Sequence, residues 1–187
     1  MGTGTILLII IVVVAVLAIL AYNSLVSLRQ RVKQSFADID VQMKQRHDLI
    51  PNLVETVKGY AAHEKGTLDE VVKARTAAIS APQGSPQQAQ AEQALSGALG
   101  RLIAISEAYP DLKANQNFLE LQQQLSDIEG KIAAARRFYN GAVSEYNAGI
   151  QAFPAVLFAK SFGFGPEIFF DLGEERAQVA QAPSVKF

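Results

Sequence analysis

Residues 45–64 read QRHDLIPNLVETVKGYAAHE and hold both histidines of the chain, His47 and His63, with Asp48, Glu55 and Glu64 among them. Imidazoles and carboxylates at helical spacing are the material of a zinc site. A His-Glu-x-x-His helix sets two nitrogens on one face with a general base between them. His63-Glu64 begins that pattern, but the place of the second histidine is taken by Thr67. His47 is sixteen residues upstream of His63, which is ~160° round a regular helix, so the two rings cannot share an ion there. The chain has no Cys, which removes thiolate metal sites, disulfides and a cysteine nucleophile. No Gly-rich phosphate loop or nucleophile elbow occurs, and Gly163-Phe164-Gly165 is too short and too aromatic to serve as one. His47 beside Asp48 reads instead as a polar face residue or a pH-sensitive contact. The expectation is a protein that is not an enzyme, with no catalytic residue, metal or cofactor. A net charge of −1 gives no reason to expect nucleic-acid binding, which needs clustered cations to displace counterions.

The elements that carry these residues are helices. From Leu25 through Leu28, Val32, Phe36, Ile39, Met43, Ile50, Leu53 and Val57 to Tyr60, apolar residues recur in steps of three and four with one slip near Phe36. Pro51 lies inside this stripe. It cannot donate to the carbonyl of His47, so the pattern predicts a helix kinked at Pro51, the alternative being a break with Pro51 opening a new helix. Gly66 followed by Thr67-Leu68-Asp69-Glu70 predicts a stop and a capping box. Ser80 to Gly84 reads as a turn, and Ser85-Pro86-Gln87-Gln88 as a second capping box opening a helix to about Ala108, with Leu95, Leu99, Leu102 and Ile105 facing the core. The Gln- and Ala-rich stretch 87–98 reads as a solvated helical face.

The last helix carries a heptad seam of Phe118, Leu121, Leu125, Ile128, Ile132, Ala135, Tyr139, Ala142, Tyr146, Gly149 and Phe153 before Pro154 stops it. The seam tapers to small residues, so its partner must approach closely at one end. Tyr139-Asn140 and Tyr146-Asn147 recur seven apart; their polar groups either pin a register or, for the asparagines, face water. No run combines strand alternation with hairpin turns. The fold class expected is all-α: an N-terminal transmembrane helix continuous with an antiparallel, coiled-coil-like four-helix bundle.

At the amino end, Ile6 to Tyr22 has no charge, amide or proline, and thirteen of its residues are Ile, Leu or Val. As a helix it extends ~26 Å, close to the hydrocarbon thickness of a bilayer. Insertion is favoured by about 4–8 kcal/mol. Ile6, Leu8, Val13 and Leu17 lie within the span and Tyr22 stands where an interfacial aromatic would. A cleaved signal peptide is disfavoured, because no Lys or Arg precedes the apolar run and Ala18-Ile19-Leu20-Ala21 is a poor cleavage site. Arg29, Arg31, Lys33, Lys44 and Arg46 all follow it. The expectation is a single-pass membrane protein with its N-terminus outside and its body cytoplasmic. Residues 1–22 are then the anchor, 23–153 the bundle, and 154–187 a Phe-rich segment with a polar tail.

That last region holds six of the ten phenylalanines between Phe153 and Gly173. Fully burying a Phe is worth ~1.5–3 kcal/mol, so Phe158, Phe162, Phe164, Phe169 and Phe170 need a surface. The three candidates are the chain's own bundle, a neighbouring protomer, and the membrane interface. The tail ends in Val185-Lys186-Phe187, where Val185 and Phe187 could be captured by strand addition to a partner's sheet edge, or remain unstructured.

The chain resembles the LemA family over nearly its full length. The resemblance rests on Tyr22-Asn23-Ser24-Leu25, Arg46-His47-Asp48-Leu49-Ile50-Pro51-Asn52-Leu53-Val54 and Val57-Lys58-Gly59-Tyr60. It continues through Tyr109-Pro110-Asp111-Leu112-Lys113-Ala114-Asn115 and Ala135-Arg136-Arg137-Phe138-Tyr139-Asn140 to the Phe153-Pro154 region. It implies a bacterial protein anchored in the inner membrane, with a soluble helical bundle, an exported bundle being the alternative, and no assigned catalytic residues. The function expected is a non-enzymatic, self-associating scaffold that organises or shapes membranes; the alternative is an adaptor presenting its bundle or tail to a membrane protease or signalling partner. The partners expected are the lipid bilayer, further copies of the chain, and a protein at the tail.

Overall fold

The computed structural model describes residues 2–170, and Val185 and Phe187 lie outside them. The chain is all-α, with no strand among the described residues. Among the described residues five α-helices follow in order: α1 Thr3–Tyr60, α2 Lys65–Ser80, α3 Pro86–Ile105, the single turn α4 Pro110–Lys113, and α5 Gln116–Gln151. Two 3-10 turns, Ala155–Leu157 and Lys160–Phe162, shape the chain after α5. The residues divide into two compact units, one of residues 2–39 and 135–169, the other of residues 40–134 with Phe170.

In the first unit, α1 contributes its apolar stretch and then a buried stripe of Leu25, Val32 and Ile39. Ser35 is buried in the same stripe, where its hydroxyl donates to the Val32 carbonyl at 2.9 Å. That polar residue accounts for the slip in the pattern near Phe36, whose ring packs edge-on against Tyr139 at 5.7 Å. Tyr139, Ala142, Val143 and Tyr146 form the buried face of α5 here. The taper of the seam has its counterpart at Gly149: a Cβ there would sit 2.8 Å from Leu28 Cδ1 and 3.4 Å from Leu25 Cδ2. The seam stops short of Phe153. α5 ends at Gln151 and Phe153 is exposed, because the chain has already left the helical path ahead of Pro154.

In the second unit, Met43, Ile50, Leu53 and Val57 of α1 are buried with Leu68, Val71 and Ala78 of α2, Leu95, Leu99 and Leu102 of α3, and Phe118, Leu125, Ile128 and Ile132 of α5. Ser85 caps α3 as expected, accepting from the Gln88 amide at 3.1 Å, while the Gln88 side chain reaches back to the Gly84 amide at 2.7 Å. Gly84 has φ 70°, which only Gly adopts without strain. The stretch 87–98 is helical but not wholly a solvated face: Gln88, Glu92, Leu95 and Ala98 in it are buried.

The expected cap at Thr67 does not form. α2 begins at Lys65, with Gly66 and Thr67 inside its first turn and Glu64 at the N-cap. The Glu64 carboxylate is occupied by the Tyr109 hydroxyl at 3.2 Å, and this contact helps to hold the turn between α1 and α2 at residues 61–64. Asn115 caps α5, accepting from the Phe118 amide at 3.0 Å, and its amide donates to the Tyr60 hydroxyl at 2.8 Å. Tyr60, Glu64, Tyr109 and Asn115 thus tie the end of α1 to the segment that leads into α5.

Candidate functional site

The apolar stripe of α1 leaves a gap of two turns between Met43 and Ile50. Steps of three and four from Met43 reach Arg46 and His47, and both point into the core of the second unit. His47 is therefore a buried residue, not part of a polar face; the stripe continues through it, and the partner waiting inside is a carboxylate.

That carboxylate belongs to Glu92 of α3, which is fully buried. Arg46 Nη2 donates to Glu92 Oε2, and Arg46 Nη1 donates to Glu129 Oε1 of α5 at 2.5 Å and to Ser96 Oγ at 2.9 Å. His47 Nε2 lies 3.0 Å from Glu92 Oε1. A charge left alone in such a place costs several kcal/mol even after relaxation, so each member depends on the others. Burial by itself would push the Glu92 carboxyl upward. The hydrogen bond from His47 and the charge of Arg46 outweigh it, and Glu92 is held below the ordinary carboxylate range. Asp40 moves the other way, raised by burial and then by the negative charge of Glu92.

Pro51 sits inside α1, which continues through it without a break. A proline has no amide hydrogen, so the carbonyl four residues earlier loses its helical partner. That carbonyl is His47 O, and Arg75 Nε of α2 donates to it at 2.7 Å. The Arg-His-Asp-Leu-Ile-Pro run is thereby explained residue by residue. Arg46 and the His47 ring meet Glu92, the His47 carbonyl meets Arg75, Asp48 pairs with Lys44 at the surface, and Leu49 and Ile50 pack in the core. Glu92 Oε2 accepts from Arg46, Oε1 lies beside His47 Nε2, and the side chain is enclosed, which is the geometry of a structural lock. A one-residue slip of any of the three helices would strand a charge in the core. His63, by contrast, is exposed. Among the described residues no group of three or more His, Cys, Asp or Glu is placed to hold a metal ion.

The second arrangement belongs to the first unit. The chain after α5 turns back, and α5 holds it by two side chains. Asn147 Nδ2 donates to the Glu167 carbonyl and its Oδ1 accepts from the Glu167 amide, both at 2.9 Å, and the Tyr139 hydroxyl donates to the Ile168 carbonyl at 3.0 Å. Two residues of the Tyr-Asn repeat thus clasp the returning backbone. The Phe164 ring is buried, edge-on to Tyr22 at 5.5 Å with the Arg29 guanidinium 6.0 Å from its centre. Phe162 also meets Tyr22 edge-on at 5.5 Å and Phe158 at 5.9 Å.

The residues singled out in the sequence are distributed as follows. Ile6, Leu8, Val13, Leu17 and Tyr22 are exposed on α1. Phe118, Leu125, Ile128 and Ile132 are buried in the second unit, Tyr139 and Tyr146 in the first, and Leu121 is half-buried. Of the phenylalanines after α5, Phe164 and Phe170 are buried, Phe158 is half-buried, and Phe162 and Phe169 are exposed. Sequence reasoning missed Arg46, Arg75, Glu92, Ser96 and Glu129. The signal for two of them was present: Arg46 fills the gap in the α1 stripe, and Glu92 lies three residues before Leu95 on the apolar face of α3.

The chain is similar to known proteins over much of its length. The model of the LemA family matches residues 35–187. The magnetosome protein MamQ 2 of Paramagnetospirillum magneticum is 28% identical over 177 aligned residues, which cover 81% of this chain and 65% of the relative. The magnetosome protein MamQ of Magnetospirillum gryphiswaldense is 27% identical, with 78% and 63% covered. Protein LemA of Metamycoplasma hominis is 24% identical, with 70% and 60% covered. The chain therefore spans somewhat under two thirds of the length of these relatives.

Proposed function

The chain belongs to the LemA family, and from that premise we propose that it is a single-pass, membrane-anchored scaffold without catalytic activity that associates with copies of itself. One observation carries the reading. The apolar part of α1 has a mean hydropathy of 3.3 and none of it is buried within the chain. Side chains from Ile6 to Leu20 leave an apolar surface that water would penalise at roughly 25 cal/mol per Å². The hydrocarbon core of a bilayer is the medium that covers a helix of this length and composition. Similarity to magnetosome proteins supports a membrane-associated role as well. The basic residues that follow the span support an orientation with the N-terminus outside and the body cytoplasmic, at the bacterial inner membrane.

For self-association the support is a groove of about 340 Å³ in the second unit, on which Val41 and Ile79 are both about half exposed. The enclosed charged cluster, in which Glu92 meets Arg46 and His47, supports a structural role for the body. The test is membrane fractionation followed by mass measurement in detergent. The intact chain is expected to resist alkaline carbonate extraction, to be released once residues 6–22 are removed, and to show a particle mass that is a multiple of 20.2 kDa. Extraction of the intact chain, or a strictly monomeric mass across concentrations, overturns the reading.

A further inference from the structure

The segment after α5 is built inside out for a surface in water. Ala155 and Ala159, which are small, are buried, whereas Phe153, Leu157 and Phe162 are 80%, 73% and 62% exposed and Val156 is about half exposed. A turn at a water surface puts its large apolar side chains inward and polar ones outward. Here Phe153, Val156, Leu157 and Phe162 face outward while Phe164 alone of the large side chains is buried, in a segment that is firmly held. Val156 and Ala159 amides bond to the Ala152 and Ala155 carbonyls, the Phe164 amide bonds to the Ala159 carbonyl, and the Asn147 clasp secures the far end. An ordered segment with this inversion faces an apolar medium.

Its position says which medium. Phe158 and Phe162 line a groove of about 350 Å³ with Ala18, Ile19 and Tyr22, the last residues of the apolar stretch of α1. Ala18 and Tyr22 are one turn apart, ~6 Å along the helix axis, so the groove is level with the end of the span. Among the described residues no charged side chain lines it. Lys160 is exposed in the same turn, and a lysine there can lay its stem along the apolar surface while its ammonium reaches lipid phosphates.

We propose that residues 153–164 form a second membrane-contacting element, an interfacial foot that inserts Phe153, Val156, Leu157 and Phe162 among the acyl chains beside the span, with one acyl chain seated in the groove of Ala18, Ile19, Tyr22, Phe158 and Phe162. The foot rests on the reading of α1 as a membrane span. It fixes the protein to the bilayer at two points, so the helix cannot rotate freely about its own axis.

The chain has no cysteine, so single-cysteine labelling is direct. Full-length Ile19→Cys, Phe153→Cys, Leu157→Cys and Ser126→Cys are each labelled with an environment-sensitive fluorophore and reconstituted into phosphatidylcholine–phosphatidylglycerol vesicles. Quenching by chain-bound doxyl lipid and by aqueous iodide is then measured. Phe153, Leu157 and Ser126 are exposed, so their replacement leaves the core intact. The labels at 153 and 157 are expected to lose roughly half their emission to the doxyl lipid, as for a group ~5–10 Å into the interface, and to be shielded from iodide like the label at 19. The label at 126 is expected to behave oppositely. If 153 and 157 follow 126 while 19 is lipid-quenched, the foot is wrong and the anchor stands. If 153 and 157 are shielded from both quenchers, protein covers them and the foot is wrong again. If 19 escapes the lipid quencher, the anchor fails and takes the foot with it.

Discussion

The Arg75–His47 contact offers a double-mutant test of how a proline is accommodated within α1. Arg75→Met removes the donor to the carbonyl that Pro51 leaves without a helical partner. A hydrogen bond from a charged donor contributes about 1.5–3 kcal/mol, and losing it leaves a part-buried acceptor unmatched. For a chain of this size 1 kcal/mol moves the melting temperature by roughly 2–4 °C, so R75M is expected to lower it by about 3–12 °C. Pro51→Ala restores an amide hydrogen at position 51, which can donate to the same carbonyl. In that background R75M should cost less than about 2 °C. The control is Arg101→Met, which breaks an exposed bidentate pair with Glu70 and should cost under about 1 kcal/mol. The assay is thermal melting of the full-length protein in detergent by far-ultraviolet circular dichroism, for all four members of the cycle. Equal cost of R75M with and without Pro51 would refute the reasoning, since it would mean that Arg75 acts independently of the missing amide.

Other perturbations test the remaining elements. Glu92→Gln withdraws the charge facing Arg46 and His47 while Glu129 still pairs with Arg46, so a loss of about 2–4 kcal/mol is expected in the same melting assay. Because the folded carboxyl of Glu92 is depressed, its stabilisation is present above the unfolded carboxylate value of roughly 4.3 and is lost as pH falls through the lower folded value; acid melts of wild type should lose this contribution and those of E92Q should lack it. Asn147→Ala opens the clasp on Glu167, and two bonds at ~1 kcal/mol each predict roughly tenfold or greater acceleration of tryptic cleavage at Lys160. Gly149→Val drives a side chain into Leu28 and Leu25 and should cost about 1–3 kcal/mol. Gly141→Ala, with open space around its Cβ, should gain about 0.5–1 kcal/mol from helix propensity.

Several features were legible in the residues because they depend on local periodicity. The helix over residues 86–105 follows from Ser85-Pro86 and from Leu95, Leu99 and Leu102, and the structure shows the cap bond itself. The passage of α1 through Pro51 followed from the stripe on both sides. The cap at Thr67 misled because Thr-x-x-Glu is a local signal, whereas the turn is held by the distant Tyr109. The buried cluster was illegible for a related reason. Arg46, Glu92 and Glu129 are ordinary surface residues by type, and only knowledge of the partner allows a charge to be placed inside.

What the sequence by itself determined is therefore the set of elements: an all-α chain, an uncharged amino-terminal helix long enough to cross a bilayer, and the apolar stripes of the helices that follow. These come from the period of the helix and from the transfer energy of individual side chains, which each residue carries with it. What only the tertiary structure decided is where polarity is inverted. Arg46, His47 and Glu92 are inside because each supplies the opposite charge or hydrogen bond for another, 46 residues away in the case of Arg46 and Glu92. Leu157 and Phe162 are outside because Ala155, Ala159 and Phe164 occupy the inner positions and the Asn147 clasp holds the backbone that way. Pairing energies belong to two groups at once, and one-dimensional order does not state which groups will meet.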